Sequence, residues 1–134
     1  MTLRHKSREF ALQMLFEWDV THEEPARVEK LFWKSARASE STREFAHQLF
    51  EGTVAQAASI DQLVEKLAKN WKLERLAGVD RSILRLAIYE IRFGPAPPKV
   101  VIDEALELAK KFSSAESPAF LNGILDAAYK SVQT

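Results

Sequence analysis

The side chains able to do chemistry here are three histidines, nineteen acidic groups and nineteen basic ones, and their spacing restricts what they can do. His5, His22 and His47 stand far apart, and none has the i, i+4 or HExxH spacing that puts two imidazoles on one metal ion. Cysteine is absent, which removes thiolate nucleophiles, disulfides and cysteine-ligated zinc together. No GxxxxGKS/T loop or GxGxxG turn is present to cradle a phosphate, and no GxSxG turn to present a serine nucleophile. Asp103 and Glu107 stand one helical turn apart, the spacing of an acid/base pair. Lys110 and Lys111 complete i, i+3 and i, i+4 pairs with Glu107, which reads as a solvated face. These patterns predict no catalysis, no metal and no cofactor, and leave binding as the task.

The basic start is the most suggestive cluster: Arg4, His5, Lys6 and Arg8. Positive charge in the first turns of a helix opposes its dipole, at about 0.3–1 kcal/mol per exposed charge, so stability alone does not select it. A frayed, solvated terminus is the plain alternative. On a helix, His5, Arg8, Leu12 and Phe16 form an i, i+3, i+7, i+11 row, opposite a stripe of Phe10, Ala11, Met14 and Trp18. An exposed ring bordered by cations suits single-stranded nucleic acid, with a base on the ring and phosphates on the cations. Coverage of Phe16 by another helix, as core, fits the row equally well, and both readings stand at this point.

The elements that must position these residues are helices. The length of 134 residues suits one domain, residues 1–134, able to bury a core without metal or disulfide support. Hydrophobic residues at 46% and charged residues at 28% match an ordinary globular chain. Formal net charge is zero, so any nucleic-acid binding must rest on a local patch rather than a whole-molecule field. No apolar run reaches the roughly 20 residues that span a bilayer, and the basic start is not followed by a signal-peptide pattern.

Helical spacing recurs along the chain, without sustained period-two alternation or a hairpin turn signal. The first helix is predicted from about Leu3 to Val20, broken by His22-Glu23-Glu24-Pro25. Pro25 opens a second, carrying Val28, Leu31, Phe32 and Ala36. Ser41-Thr42-Arg43-Glu44 reads as a capping box for a third through Phe45, Leu49 and Val54, and a fourth follows around Ile60 to Leu67. Val79 to Ile91, with Asp80 as N-cap, is apolar on most of its circumference and is expected at the centre of the fold. Gly94-Pro95-Ala96-Pro97-Pro98 stops it. A sixth helix shows Val101, Ala105, Leu108, Ala109 and Phe112. After the loop Ser113 to Glu116, Ser117 and Pro118 open a seventh, with Phe120, Leu121, Ile124, Leu125 and Ala128. The expectation is an all-α bundle of about seven helices, an N-terminal and a C-terminal group sharing one core.

Three segments together resemble one family. They are Arg4 to Phe16 (RHKSREFALQMLF), Val79 to Ile91 (VDRSILRLAIYEI), and Lys99 to Phe112 (KVVIDEALELAKKF), continuing to Phe120-Leu121-Asn122-Gly123-Ile124-Leu125-Asp126. Their order, spacing and total length resemble the NusB family of bacterial transcription antitermination factors, nearly end to end. The resemblance implies a cytoplasmic factor that binds the boxA element of ribosomal RNA transcripts. It also implies NusE, a small-subunit ribosomal protein, as partner, within an RNA polymerase antitermination complex; a homodimer remains open. By position, Arg4, His5, Lys6 and Arg8 match the family's arginine-rich RNA-binding start, with His5 in place of an arginine. Phe16 matches a tyrosine at the RNA surface. Lys111 and Phe120 flank the loop Ser113 to Ser117, which would form the second RNA-contacting edge. In that loop Glu116 stands where the family carries aspartate. Glu74 and Asp80 match acidic positions expected to face a basic surface of NusE.

Two other classes compete. One is an accessory domain like the helical N-terminal part of some ribosomal RNA cytosine methyltransferases. Such an enzyme needs an α/β domain and a nucleophilic cysteine; the chain reaches Thr134 without one, which favours the free-standing factor. The other is a helical bundle that binds only proteins.

Overall fold

A computed structural model of the chain describes residues 3–68 and 76–133. Among them are six helices and no strand: α1 (Leu3–Thr21), α2 (Pro25–Ser35), α3 (Glu40–Leu67), α4 (Gly78–Phe93), α5 (Pro98–Phe112) and α6 (Ser117–Gln133). The all-α expectation holds, with one helix fewer than predicted. The two segments expected on either side of Ala55 to Ser59 are one element, α3. Ala55, Ala57 and Ala58 are strong helix formers and no proline intervenes. Its buried stripe of Ala46, Leu49, Phe50, Thr53, Ala57, Ile60 and Val64 runs on unbroken. Gly52, which weakens a helix interior, admits the Tyr89 ring to the α3 backbone where any Cβ would collide with it.

Local signals set the helix ends with small shifts. His22 takes a left-handed conformation (φ 59°) just past α1, and its N–H donates to the Trp18 carbonyl at 2.9 Å. Pro25 opens α2 as expected. Ser39, not Ser41, caps α3, its hydroxyl accepting from the Thr42 amide. Asp80 does not cap α4: the cap position is Ala77, without a side-chain bond, and Asp80 lies in the first turn with its carboxylate engaged elsewhere. Ser117 is the first residue of α6, and its hydroxyl donates to Asp80.

The N-terminal group α1–α3 and the C-terminal group α4–α6 meet through α1 on α4, α3 on α4 and α3 on α6. α4 is central as predicted, touching α1, α3, α5 and α6, and Ile83, Leu84 and Ile88 have no exposed surface. With Met14, Leu15, Phe50, Ile60, Leu108, Leu121 and Leu125 they form a continuous core, each such side chain stabilising by about 1.5–3 kcal/mol. Near the C-terminal end of α1 a largely buried ion network ties the groups together. Arg85 donates to both oxygens of Asp61 (2.8 and 2.9 Å) and to Asp19 (2.8 Å). Arg81 donates to Asp19 and to the Leu76 carbonyl. Burial opposes charge on Asp19, yet the hydrogen bonds and charges of Arg81 and Arg85 hold its pKa below the ordinary value.

Candidate nucleic-acid interface

The basic start of α1 divides into outward and inward cations. Arg4 and Lys6 face solvent, the Arg4 guanidinium 4.3 Å from the Phe45 ring centroid and the Lys6 ammonium 5.0 Å from that of Phe10. These contacts fix two long side chains on aromatic faces while leaving their charge accessible.

His5 and Arg8 are buried, which corrects the expectation of an open cationic row. Nε and Nη2 of Arg8 donate to the two oxygens of Glu90 at 2.8 Å each, and Nη1 lies 3.5 Å from Glu104. The His5 ring sits between Glu9 (3.0 Å) and Glu104. The physical reason is that α1 is covered by α3 and α4, so the row opposite Phe10 is interior too, and Leu12 within it is buried. A cation in that position persists only with a carboxylate partner. Burial works against the Arg8 charge, but the Glu90 hydrogen bonds and the charges of Glu90 and Glu104 raise its pKa above the ordinary value.

Glu9, 2% exposed, is the hinge of this network. It accepts Lys111 at 3.0 and 3.1 Å and lies 3.7 Å from Lys6. Burial pushes its pKa up, and Lys111, Lys6 and His5 together bring it below the ordinary value. Lys111 therefore does not pair along its own helix; Lys110 does, with Glu107 at 3.3 Å. The Lys111 side chain remains 49% exposed, so its charge serves Glu9 on one side and faces solvent on the other.

From Lys111 the surface continues into the α5–α6 loop. Ser113 caps the C-terminus of α5. Its hydroxyl donates to Asp80 at 2.6 Å, that of Ser117 donates to the other oxygen at 2.9 Å, and the hydroxyls of Ser113 and Ser114 lie 2.8 and 2.9 Å from Ser117. Asp80 is 8% exposed and both its oxygens are engaged. Where an outward-facing acid was expected, the carboxylate is buried and pins the loop. Glu116 is exposed and Phe120 half-buried; with Ala77 and Ser114 they line a depression of about 350 Å³. Phe16, 37% exposed, is neither core nor free: its ring rests on Gly78 at the start of α4. Glu74 lies outside the described residues.

The structure thus brings Lys6 and Lys111 together at Glu9, Ser113 and Ser117 together at Asp80, and Glu116 and Phe120 around one depression, with Phe16 on Gly78 two residues before Asp80; Arg4 lies apart, on Phe45 of α3. The sequence row missed Glu9, Glu90 and Glu104. Only Glu9, four residues from His5, carried a local signal; Glu90 is 82 residues from Arg8 and Glu104 is 99 from His5. Among the described residues no group of three or more His, Asp or Glu side chains is arranged for a metal ion, and no helix is long and apolar enough to cross a membrane.

A family model described as the NusB family matches residues 5–130. The transcription antitermination protein NusB of Koribacter versatilis is 48% identical over 126 residues, covering 92% of this chain and 86% of that protein. Among solved structures, T. maritima NusB superposes with a TM-score of 0.87 at 33% identity, covering 97% of this chain and 92% of that one. A chain from a crystal structure of the antitermination factors NusB and NusE in complex with dsRNA does so with a TM-score of 0.89 at 29% identity, covering 98% of each. With this match along nearly its whole length, on the same helical fold, the chain belongs to the NusB family.

Proposed function

We propose that this protein is a cytoplasmic transcription antitermination factor that binds boxA RNA of ribosomal RNA transcripts jointly with NusE and supports read-through by RNA polymerase. It acts by binding, without catalysis or cofactor. The observation that carries the reading is the run of contacts from Lys6 through Glu9 to Lys111, at the end of the helix that leads into the Ser113–Ser117 loop, with Phe16 on Gly78 beside the Asp80 that holds this loop and Arg4 exposed two residues before Lys6. Cations, hydroxyls and half-exposed rings in series are what a single-stranded RNA requires. Relatives named as antitermination proteins, and a NusB–NusE–dsRNA complex of the same fold, support it.

Arg4, Lys6 and Lys111 hold phosphates; Phe16 and Phe120 stack bases; Ser113 and Glu116 meet polar base edges. His5, Arg8, Ser117 and Asp80 act from beneath by fixing these groups. Glu74 keeps its assignment as an acidic contact for NusE. The test is a titration of boxA RNA against a scrambled RNA, with and without NusE, at two salt concentrations. BoxA is expected to bind more tightly, with a salt-dependent affinity that NusE raises. Equal binding of boxA and scramble under every condition would leave a bundle that binds only proteins.

A further inference from the structure

We propose that Gly78 is a positioning residue for RNA binding: its missing side chain lets the Phe16 ring seat on the start of α4 with one face open to a base. The inference rests on the stacking role of Phe16 given above. Gly78 has no positive φ, so its backbone conformation does not require glycine. At the first position of a helix alanine would be favoured by propensity. Space is the constraint. A Cβ at Gly78 would stand 2.9 Å from Cε1 and 3.4 Å from Cδ1 of Phe16, whereas carbon atoms pack at about 3.5–4.0 Å.

The seat is closed on another side by Arg81, whose Nη2 lies 3.7 Å from the same point. Arg81 is fixed in turn by donating to the Leu76 carbonyl at 3.0 Å, just before α4, and to Asp19, one turn beyond Phe16 on α1. A methyl group at position 78 therefore meets a braced helix start on one side and a ring at the surface on the other. The ring moves, because it alone has solvent to move into. Two residues further, Asp80 holds Ser113 and Ser117, so this one turn sets the spacing between the Phe16 ring and the loop that carries Glu116.

The test is a double-mutant cycle on the full chain with NusE, read as affinity for boxA RNA, using Gly78→Ala, Phe16→Ala and the pair. Phe16→Ala is expected to weaken binding roughly tenfold, as loss of one stacked base does. Gly78→Ala should lose a part of this, roughly threefold, with no fall in melting temperature and with displaced Phe16 ring resonances in the NMR spectrum. In the Phe16→Ala background, Gly78→Ala should cost nothing more. Unmoved ring resonances, wild-type affinity of Gly78→Ala, or an equal loss in both backgrounds would each overturn the proposal while leaving the stacking role of Phe16 intact. A Phe16→Ala variant that binds boxA as tightly as the wild type would instead remove the stacking role itself, and the positioning role with it.

Discussion

The two ends of α1 both bury ion networks, and they use them differently. At the C-terminal end Asp19 is clamped by Arg81 and Arg85, which also reaches Asp61; all four side chains are largely enclosed, and the network joins α1, α3 and α4. At the N-terminal end His5, Arg8, Glu9, Glu90 and Glu104 are joined by Lys6 and Lys111, whose side chains are about half exposed. The first network spends its charge internally, while the second shares its buried carboxylate with cations that still face solvent. Both networks set cations against carboxylates; access to water decides whether a cation can also meet a phosphate.

The strongest way to break the comparison is Arg85→Met, which leaves Asp19 and Asp61 short of a partner. It should destabilise by about 3–5 kcal/mol, the range for orphaning a buried charge, in urea unfolding. RNA affinity measured where the variant remains folded should be unchanged. A loss below about 1 kcal/mol would place that network among screened surface pairs.

At the other end, inward and outward cations should separate cleanly. Arg8→Leu should destabilise by about 3 kcal/mol by stranding Glu90, without altering the salt dependence of RNA binding. The pair Arg4→Ala and Lys6→Ala should leave stability nearly intact and reduce the salt slope by about 2, one for each lost phosphate contact. The reverse pattern would reinstate Arg8 as a phosphate ligand.

Acid should reach both ends. Glu9 and Asp19 are held below the ordinary carboxylate value of about 4, so near that pH the unfolded chain binds more protons than the folded one. The stability they contribute is complete above the unfolded value and is lost as pH falls through the lower folded values. Urea midpoints at pH 7, 5, 4 and 3 should fall only at the acidic end of the series. Lys111→Ala should remove the largest favourable charge on Glu9 and reduce its share of that acid loss, leaving the share of Asp19. The smallest effect belongs to Lys110→Ala, which breaks an exposed pair with Glu107 and should change stability by less than about 0.5 kcal/mol.

Much of this was legible before any fold was known. The periodic stripes, Pro25, the Gly94–Pro98 stop and the apolar run at Val79–Ile91 are local or additive signals, and they placed the helices and the central role of α4. The continuity of α3 between Val54 and Ile60 was legible too, in Ala55, Ala57 and Ala58, whereas the use of Gly52 by Tyr89 depended on α4 lying against α3. The site was half legible. Residue types at Arg4, Lys6, Phe16 and the Ser113–Ser117 loop pointed to the proposed nucleic-acid surface, but the phase of His5 and Arg8 misled, because one helix considered alone cannot show that it is covered on two sides.

What the sequence determined by itself is the class of the protein: helices from periodicity and propensity, and a family from three motifs in order. Only the tertiary structure decided which cations face solvent, that Asp80 pins a loop, and that Phe16 rests half-open on Gly78. Each of those depends on groups dozens of residues apart meeting across the core, where burial fixes the state of a charge and a missing methyl group fixes the place of a ring.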